Sequence, residues 1–85
     1  MPYDITFARS ARKELERLRE PLRSRVFRRI ELLGTDRRPS GCRKLEGAKD
    51  LWRIRVGDYR VIYSVDDARR IVDVNAIRHR SDAYR

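Results

Sequence analysis

Arg53, Arg55 and Arg60 are spaced to place three guanidinium groups on one face of a β-hairpin. Residues 51–56 and 59–64 alternate in polarity around Gly57-Asp58, which is a hairpin signature. Gly57, first in a two-residue loop, suits a type II′ turn, whose first central residue needs φ > 0. That turn pairs Val56 with Tyr59, Arg55 with Arg60 and Ile54 with Val61. Trp52, Ile54, Val56, Tyr59, Val61 and Tyr63 then share one face, and the arginines share the other. Directly opposed arginines repel unless an anion lies between them. One such arginine is ordinary wet surface. Three on one patch, in a chain with 22 Lys+Arg against 13 Asp+Glu and a net charge of +9, read as an anion site.

The chain's 85 residues suffice for one domain with a modest core. Its positive surplus points to a polyanionic partner: nucleic acid first, an acidic protein second, an anionic membrane third. No apolar run reaches spanning length, and the first residues lack the apolar stretch of a signal peptide. Cys42, the single cysteine, cannot form an internal disulfide, which fits a reducing cytoplasm. One histidine and one cysteine do not make a zinc site of the usual spacing, and no metal or other cofactor is expected.

The elements that must position the arginines follow from periodicity. Met1 to Phe7 reads as a first strand. From Ala8 the period changes, with Ala8, Ala11, Leu15, Leu18 and Leu22 recurring at helical steps. Arg9, Arg12, Lys13, Glu14, Glu16, Arg17 and Arg19 fill the gaps as a solvated charged face. Pro21 breaks this helix and is comfortable in the first turn of the next. Leu22, Val26, Ile30 and Leu33 form a second stripe, closed by Gly34 as a C-terminal stop. The basic positions of this helix, Arg23, Arg25, Arg28 and Arg29, read as solvated surface. Thr35 to Lys49 is a loop in which Leu45 is an apolar anchor. Asp66 to Arg69 make a turn, and Arg70 to Ile77 the last strand. The expected fold is α+β and two-layered, in β-α-α-β-β-β order. A helical hairpin covers the apolar face of an antiparallel sheet, and the arginine face stays open. The first strand joins this sheet at its edge or its centre. If Val65 pairs with Arg70 across the second turn, Asn75 faces Arg60 and His79 shares its side. Arg78 then points away unless the strand ends or bulges first.

With these elements in place the chain resembles the RelE toxins of the RelE/ParE superfamily, the toxic half of toxin–antitoxin pairs. The resemblance spans nearly the whole chain. It is carried by the element order, by Lys44-Leu45-Glu46-Gly47, by Leu51-Trp52-Arg53-Ile54-Arg55, by Tyr59-Arg60-Val61-Ile62-Tyr63, and by Arg78-His79-Arg80-Ser81-Asp82-Ala83-Tyr84. It implies a metal-independent endoribonuclease that cuts mRNA in the decoding site of the ribosome, by attack of a 2′-hydroxyl on its own adjacent phosphate. By motif, the family's basic pair falls on Arg53 and Arg55, its phosphate clamp on Arg60, and its terminal arginine and tyrosine on Arg78 and Tyr84. Lys44 and Arg80, within the same segments, are further RNA-binding candidates. The family often carries lysines where this chain has Arg53 and Arg55. A guanidinium stays protonated, so these two can stabilise charge but cannot act as bases. His79 and Tyr84 are the groups able to exchange protons, and Tyr84 could instead stack on a base. The resemblance also implies a cognate antitoxin, binding across the helices and near the open face, and operator DNA reached indirectly through that antitoxin. The competing readings are a ParE-like toxin that poisons gyrase by protein contact and a catalytically inactive basic binding module.

Overall fold

The computed structural model describes residues 2–47 and 50–81. Its elements are β1 (Asp4–Phe7), α1 (Arg9–Glu16), α2 (Leu22–Leu32), β2 (Arg43–Lys44), β3 (Leu51–Val56), β4 (Tyr59–Asp66) and β5 (Ile71–His79). The strands form one five-stranded sheet in the order β1-β5-β4-β3-β2. α1 lies against β5 and α2 against β3, so both helices cover the same face. Ala11, Leu15 and Leu18 from the first helical segment, and Val26, Ile30 and Leu33 from the second, meet Ile54, Val56, Val61, Tyr63, Val72, Val74 and Ile77 in one core. The two-layer α+β architecture expected from periodicity is the one formed.

Three details depart from expectation. The first helix does not run to Pro21. It stops at Glu16, where the Arg17 N–H bonds back to the Lys13 carbonyl, and Leu18 is buried from the joint. Pro21 takes the capping position of α2, and the Glu20 carboxylate accepts hydrogen bonds from the Ser24 N–H (2.9 Å) and Oγ (2.7 Å). These bonds, with Arg23 beside them, hold the Glu20 carboxyl below its ordinary range. The sheet, in turn, is not wholly antiparallel. β1 pairs in parallel with β5, Ile5 beside Val72 and Phe7 beside Val74. A parallel neighbour requires a long crossover, and the two helices supply it between β1 and the later strands. Finally, the loop before the hairpin contains the two-residue strand β2, which pairs with β3 at the sheet's other edge.

Gly34 follows the end of α2, as expected of a helix stop. Its φ is not left-handed, and a different constraint acts on it. Its carbonyl accepts the Tyr3 N–H at 2.8 Å, and a Cβ there would stand 2.8 Å from the Tyr3 carbonyl oxygen. The glycine lets the end of α2 touch the backbone entering β1. The loop that follows is tied down by aromatic contacts. The Tyr63 hydroxyl donates to the Arg37 carbonyl at 2.6 Å, Arg37 stacks 4.0 Å over Tyr3, and Arg38 lies 5.0 Å over Trp52. Burial raises the Tyr63 phenol well above its ordinary range. Among the described residues no helix is long and apolar enough to cross a membrane.

Candidate phosphate-binding face

The hairpin of β3 and β4 forms in the expected register. Gly57 has φ 60° and Asp58 is not left-handed, as a type II′ turn requires. Val56 pairs with Tyr59, Arg55 with Arg60, and Ile54 with Val61. With the helices on the Ile54/Val61 side, Arg53, Arg55 and Arg60 fall on the side the helices leave open.

β5 decides which further residues join them. From Asp66↔Ile71 to Tyr63↔Val74 it pairs with β4 in one register, and from Ile62↔Ala76 onward it is shifted by one residue. The extra residue is Asn75, a β-bulge that reverses the facing of everything beyond it. With its nitrogen turned toward Asp73, the Asn75 amide donates to the Asp73 carbonyl (3.2 Å) and Oδ2 (3.0 Å). The expected pairings of Val65 with Arg70 and Asn75 with Arg60 are both replaced: Val65 lies beside Val72, and Arg60 beside Arg78. Arg55, Arg60 and Arg78 therefore occupy one rung across three adjacent strands. Neighbouring strands lie about 4.8 Å apart, so the three Cα positions span only about 10 Å.

His79 follows Arg78 and so faces the opposite way, beside Tyr59. Its ring stands edge-on to Tyr59 with centroids 5.2 Å apart, and its Nδ1 lies 2.8 Å from Ser81 Oγ. The site that brings in Arg78 thus leaves His79 on the helix side. The Arg80 N–H donates to the Asp58 carbonyl at 2.8 Å, which anchors the chain leaving β5 to the hairpin turn. Tyr84 lies outside the described residues. Lys44 pairs with Trp52, on the strand side away from the arginines, whereas its neighbour Arg43 pairs with Arg53. An open groove of about 430 Å³ is lined by Gly41, Arg43, Arg53 and Arg55. Arg43 is one residue that sequence reasoning passed over, because a two-residue strand carries no alternation to read.

Glu14 is the other. The Glu14 carboxylate accepts the Ile77 N–H at 2.9 Å with Oε1 and meets Arg78 Nε at 2.7 Å with Oε2. β1 pairs with residues 71–74 of β5 and does not cover the edge beyond them, which α1 reaches with this side chain. The sequence reading placed Glu14 on the solvated helix face. The structure places it beside Ala11, Leu15 and Leu18, on the inward side of α1, with only 23% of its side chain exposed. A signal for this was present, since positions 11, 14, 15 and 18 are the i, i+3, i+4, i+7 spacing of one helix face.

An array of fixed cations on an open sheet can bind a phosphodiester backbone and stabilise charge building on one phosphate. Among the described residues no three His, Cys, Asp or Glu side chains gather where they could hold a metal ion.

Comparisons with known proteins agree with this fold. Residues 5–84 match the family described as the ParE toxin of type II toxin–antitoxin system, parDE. The chain is 30% identical to Toxin RelG of Mycobacterium tuberculosis, over 100% of its own length and 99% of that protein's. Among solved structures it resembles the archaeal RelE–RelB complex from Pyrococcus horikoshii, with TM-score 0.82 and 30% identity, covering 94% of this chain and 97% of that one. It also resembles a doubly substituted E. coli toxin RelE in the free state, with TM-score 0.80 and 26% identity, covering 99% and 92%.

Proposed function

Because this chain belongs to the ParE toxin family of type II toxin–antitoxin systems, in the RelE/ParE superfamily, we propose that it is a ribosome-dependent mRNA endoribonuclease of the RelE kind. The observation that carries the reading is the rung Arg55–Arg60–Arg78, three cations in register across β3, β4 and β5. A toxin acting by protein contact alone has no need of such a row. A phosphoryl transfer does, because negative charge accumulates on the phosphate oxygens as the transition state forms.

In the proposed reaction the 2′-hydroxyl oxygen attacks the adjacent phosphorus and the bond to the 5′-oxygen breaks. A 2′,3′-cyclic phosphate and a free 5′-hydroxyl result. One proton leaves the attacking hydroxyl and one reaches the departing oxygen. Arg55, Arg60 and Arg78 hold the phosphate, and Arg53 lies two residues from Arg55 on the same face. Arg80, where the chain leaves β5, is assigned a further contact to the RNA backbone. Of the two proton-exchanging candidates, His79 is packed against Tyr59 on the helix side, which favours Tyr84 for the proton on the arginine side. No described arginine can serve as a base, so the face alone gives slow chemistry on free RNA. The ribosome supplies the alignment of hydroxyl and phosphate, and alignment can contribute as much as acid–base catalysis.

A cognate antitoxin belongs to the same reading. The Pyrococcus horikoshii relative is seen as a RelE–RelB complex. On this chain a groove of about 440 Å³ runs between the helices, with Leu15 and Phe27 on its apolar side and Arg23, Arg28, Glu16 and Glu31 around them, and Phe27 is 43% exposed. An amphipathic segment that lays its apolar side on Leu15 and Phe27 fits that groove, and the antitoxin would also carry the contact to operator DNA.

The test is cleavage of a defined mRNA by the purified chain, with and without programmed ribosomes, beside Arg60→Ala. The expected result is a cut confined to the decoding-site codon, dependent on ribosomes and slowed about 100-fold or more in the variant. An intact message, with expression still arresting growth, would overturn the reading in favour of gyrase poisoning.

A further inference from the structure

Arg60 and Arg78 stand directly opposite each other on adjacent strands, an arrangement that costs free energy when nothing separates the charges. Arg78 also sits beyond the Asn75 bulge, on an edge of β5 that β1 does not cover. Both features would leave its side chain poorly fixed. The structure holds it by the 2.7 Å ion pair from its Nε to Glu14 Oε2. The other Glu14 oxygen is fixed by the Ile77 N–H at 2.9 Å, so the carboxylate is anchored to backbone one residue before the arginine it grips.

We propose that Glu14 is a positioning residue for Arg78: it holds the guanidinium by Nε and leaves the two terminal amino groups to face a phosphate beside Arg60. The inference rests on the ribonuclease reading and deepens it. The geometry suits this task. A guanidinium is a planar fork, and a carboxylate held at Nε fixes the plane while leaving the outer pair of donors for a second oxyanion. The same carboxylate offsets part of the repulsion between Arg60 and Arg78 before substrate arrives. Its burial limits screening by water, and its anchor on Ile77 ties the arginine's position to the bulge. Glu14 touches neither substrate nor reacting atoms, and it acts through Arg78.

Two substitutions separate this role from a purely architectural one. Glu14→Gln keeps a carbonyl oxygen for the Ile77 N–H but replaces the oxygen that faces Arg78 with a donor. Glu14→Ala removes both partners. Thermal midpoints, maximal cleavage rate on programmed ribosomes, and the toxin concentration giving half that rate are measured for each. The expected pattern is a lowered midpoint in Glu14→Ala and a wild-type midpoint in Glu14→Gln. The maximal rate falls about ten- to a hundredfold in both, with the half-saturating concentration unchanged. Cleavage that recovers together with the midpoint in Glu14→Gln overturns the proposal, since Glu14 would then only stabilise the fold. A raised half-saturating concentration with an unchanged rate overturns it too. If the wild-type chain cuts nothing, the ribonuclease reading fails and this inference with it. If the wild type cuts and Glu14→Gln equals it, only this inference fails.

Discussion

Arg43 and Lys44 are adjacent basic residues with different surroundings, and the difference is measurable. Arg43 pairs with Arg53 and lines the groove with it, while Lys44 pairs with Trp52 on the other side of the strand. Each phosphate contact made by a cation releases counterions, which contributes about 0.7 to the slope of log affinity against log salt for single strands. Arg43→Ala should therefore weaken binding of a labelled RNA oligonucleotide and reduce that slope by about 0.7, whereas Lys44→Ala should leave the slope near its wild-type value. Anisotropy titrations across a salt series check both. An equal loss in the two variants would mean that net charge, and not position on the face, governs binding. Residue identity made Arg53, Arg55 and Arg60 legible in the sequence because a two-residue turn fixes their register. Arg43 and Glu14 were not legible in the same way. The facing of Arg43 depends on a strand two residues long, and the charge on Glu14 hid its place among apolar neighbours.

At the scale of elements, the helices and hairpin were readable because burying one side of a helix or strand requires a repeating pattern. The Ala11/Leu15/Leu18 and Val26/Ile30/Leu33 stripes are such patterns, and they do form the core. The bulge at Asn75 was not readable. The alternation of Val72, Val74 and Ala76 runs on without a visible break, and Ile77 joins Val72 and Val74 on the buried side only because the register slips between them. Beyond the bulge, the anchors are backbone bonds that side-chain alternation does not report. These are the Glu14 carboxylate on the Ile77 N–H and the Asp58 carbonyl on the Arg80 N–H. Gly34 shows the same limit. Glycine after a helix suggests a left-handed stop, but what the position demands is room beside the Tyr3 carbonyl. Gly34→Ala should cost about 1–3 kcal/mol by forcing the end of α2 away from β1, read as a lowered urea midpoint with an unchanged denaturant slope. A wild-type midpoint would show that this junction yields freely.

Across the whole molecule, the excess of basic residues makes the few acidic contacts matter for stability at low pH. Hydrogen bonds from Ser24 hold the Glu20 carboxyl below its ordinary 4.5. The Tyr3 hydroxyl, 2.7 Å away and aided by Arg38, holds Asp67 below its ordinary 3.8. A carboxyl whose pKa is depressed by folding binds protons more readily in the unfolded chain. Its contribution is complete above the ordinary value and is lost as pH falls through the depressed folded one. Thermal midpoints followed from neutral pH down through the carboxylate range should fall, and fall less steeply in the Glu20→Gln and Asp67→Asn variants. A fall of the same steepness in both would place the acid sensitivity elsewhere. The pairing of β1 with β5 has a consequence of a different kind, in the order in which the chain is made. Asp4 to Phe7 leave the ribosome well before their partners, Ile71 to Val74, which follow only after both helices and the hairpin. Glu14 waits in the same way for Ile77 and Arg78. Until β5 has been synthesised, the growing polypeptide has neither a closed sheet nor the third arginine of its rung. A ribonuclease of the proposed kind can therefore be translated as far as β5 before it is complete enough to act.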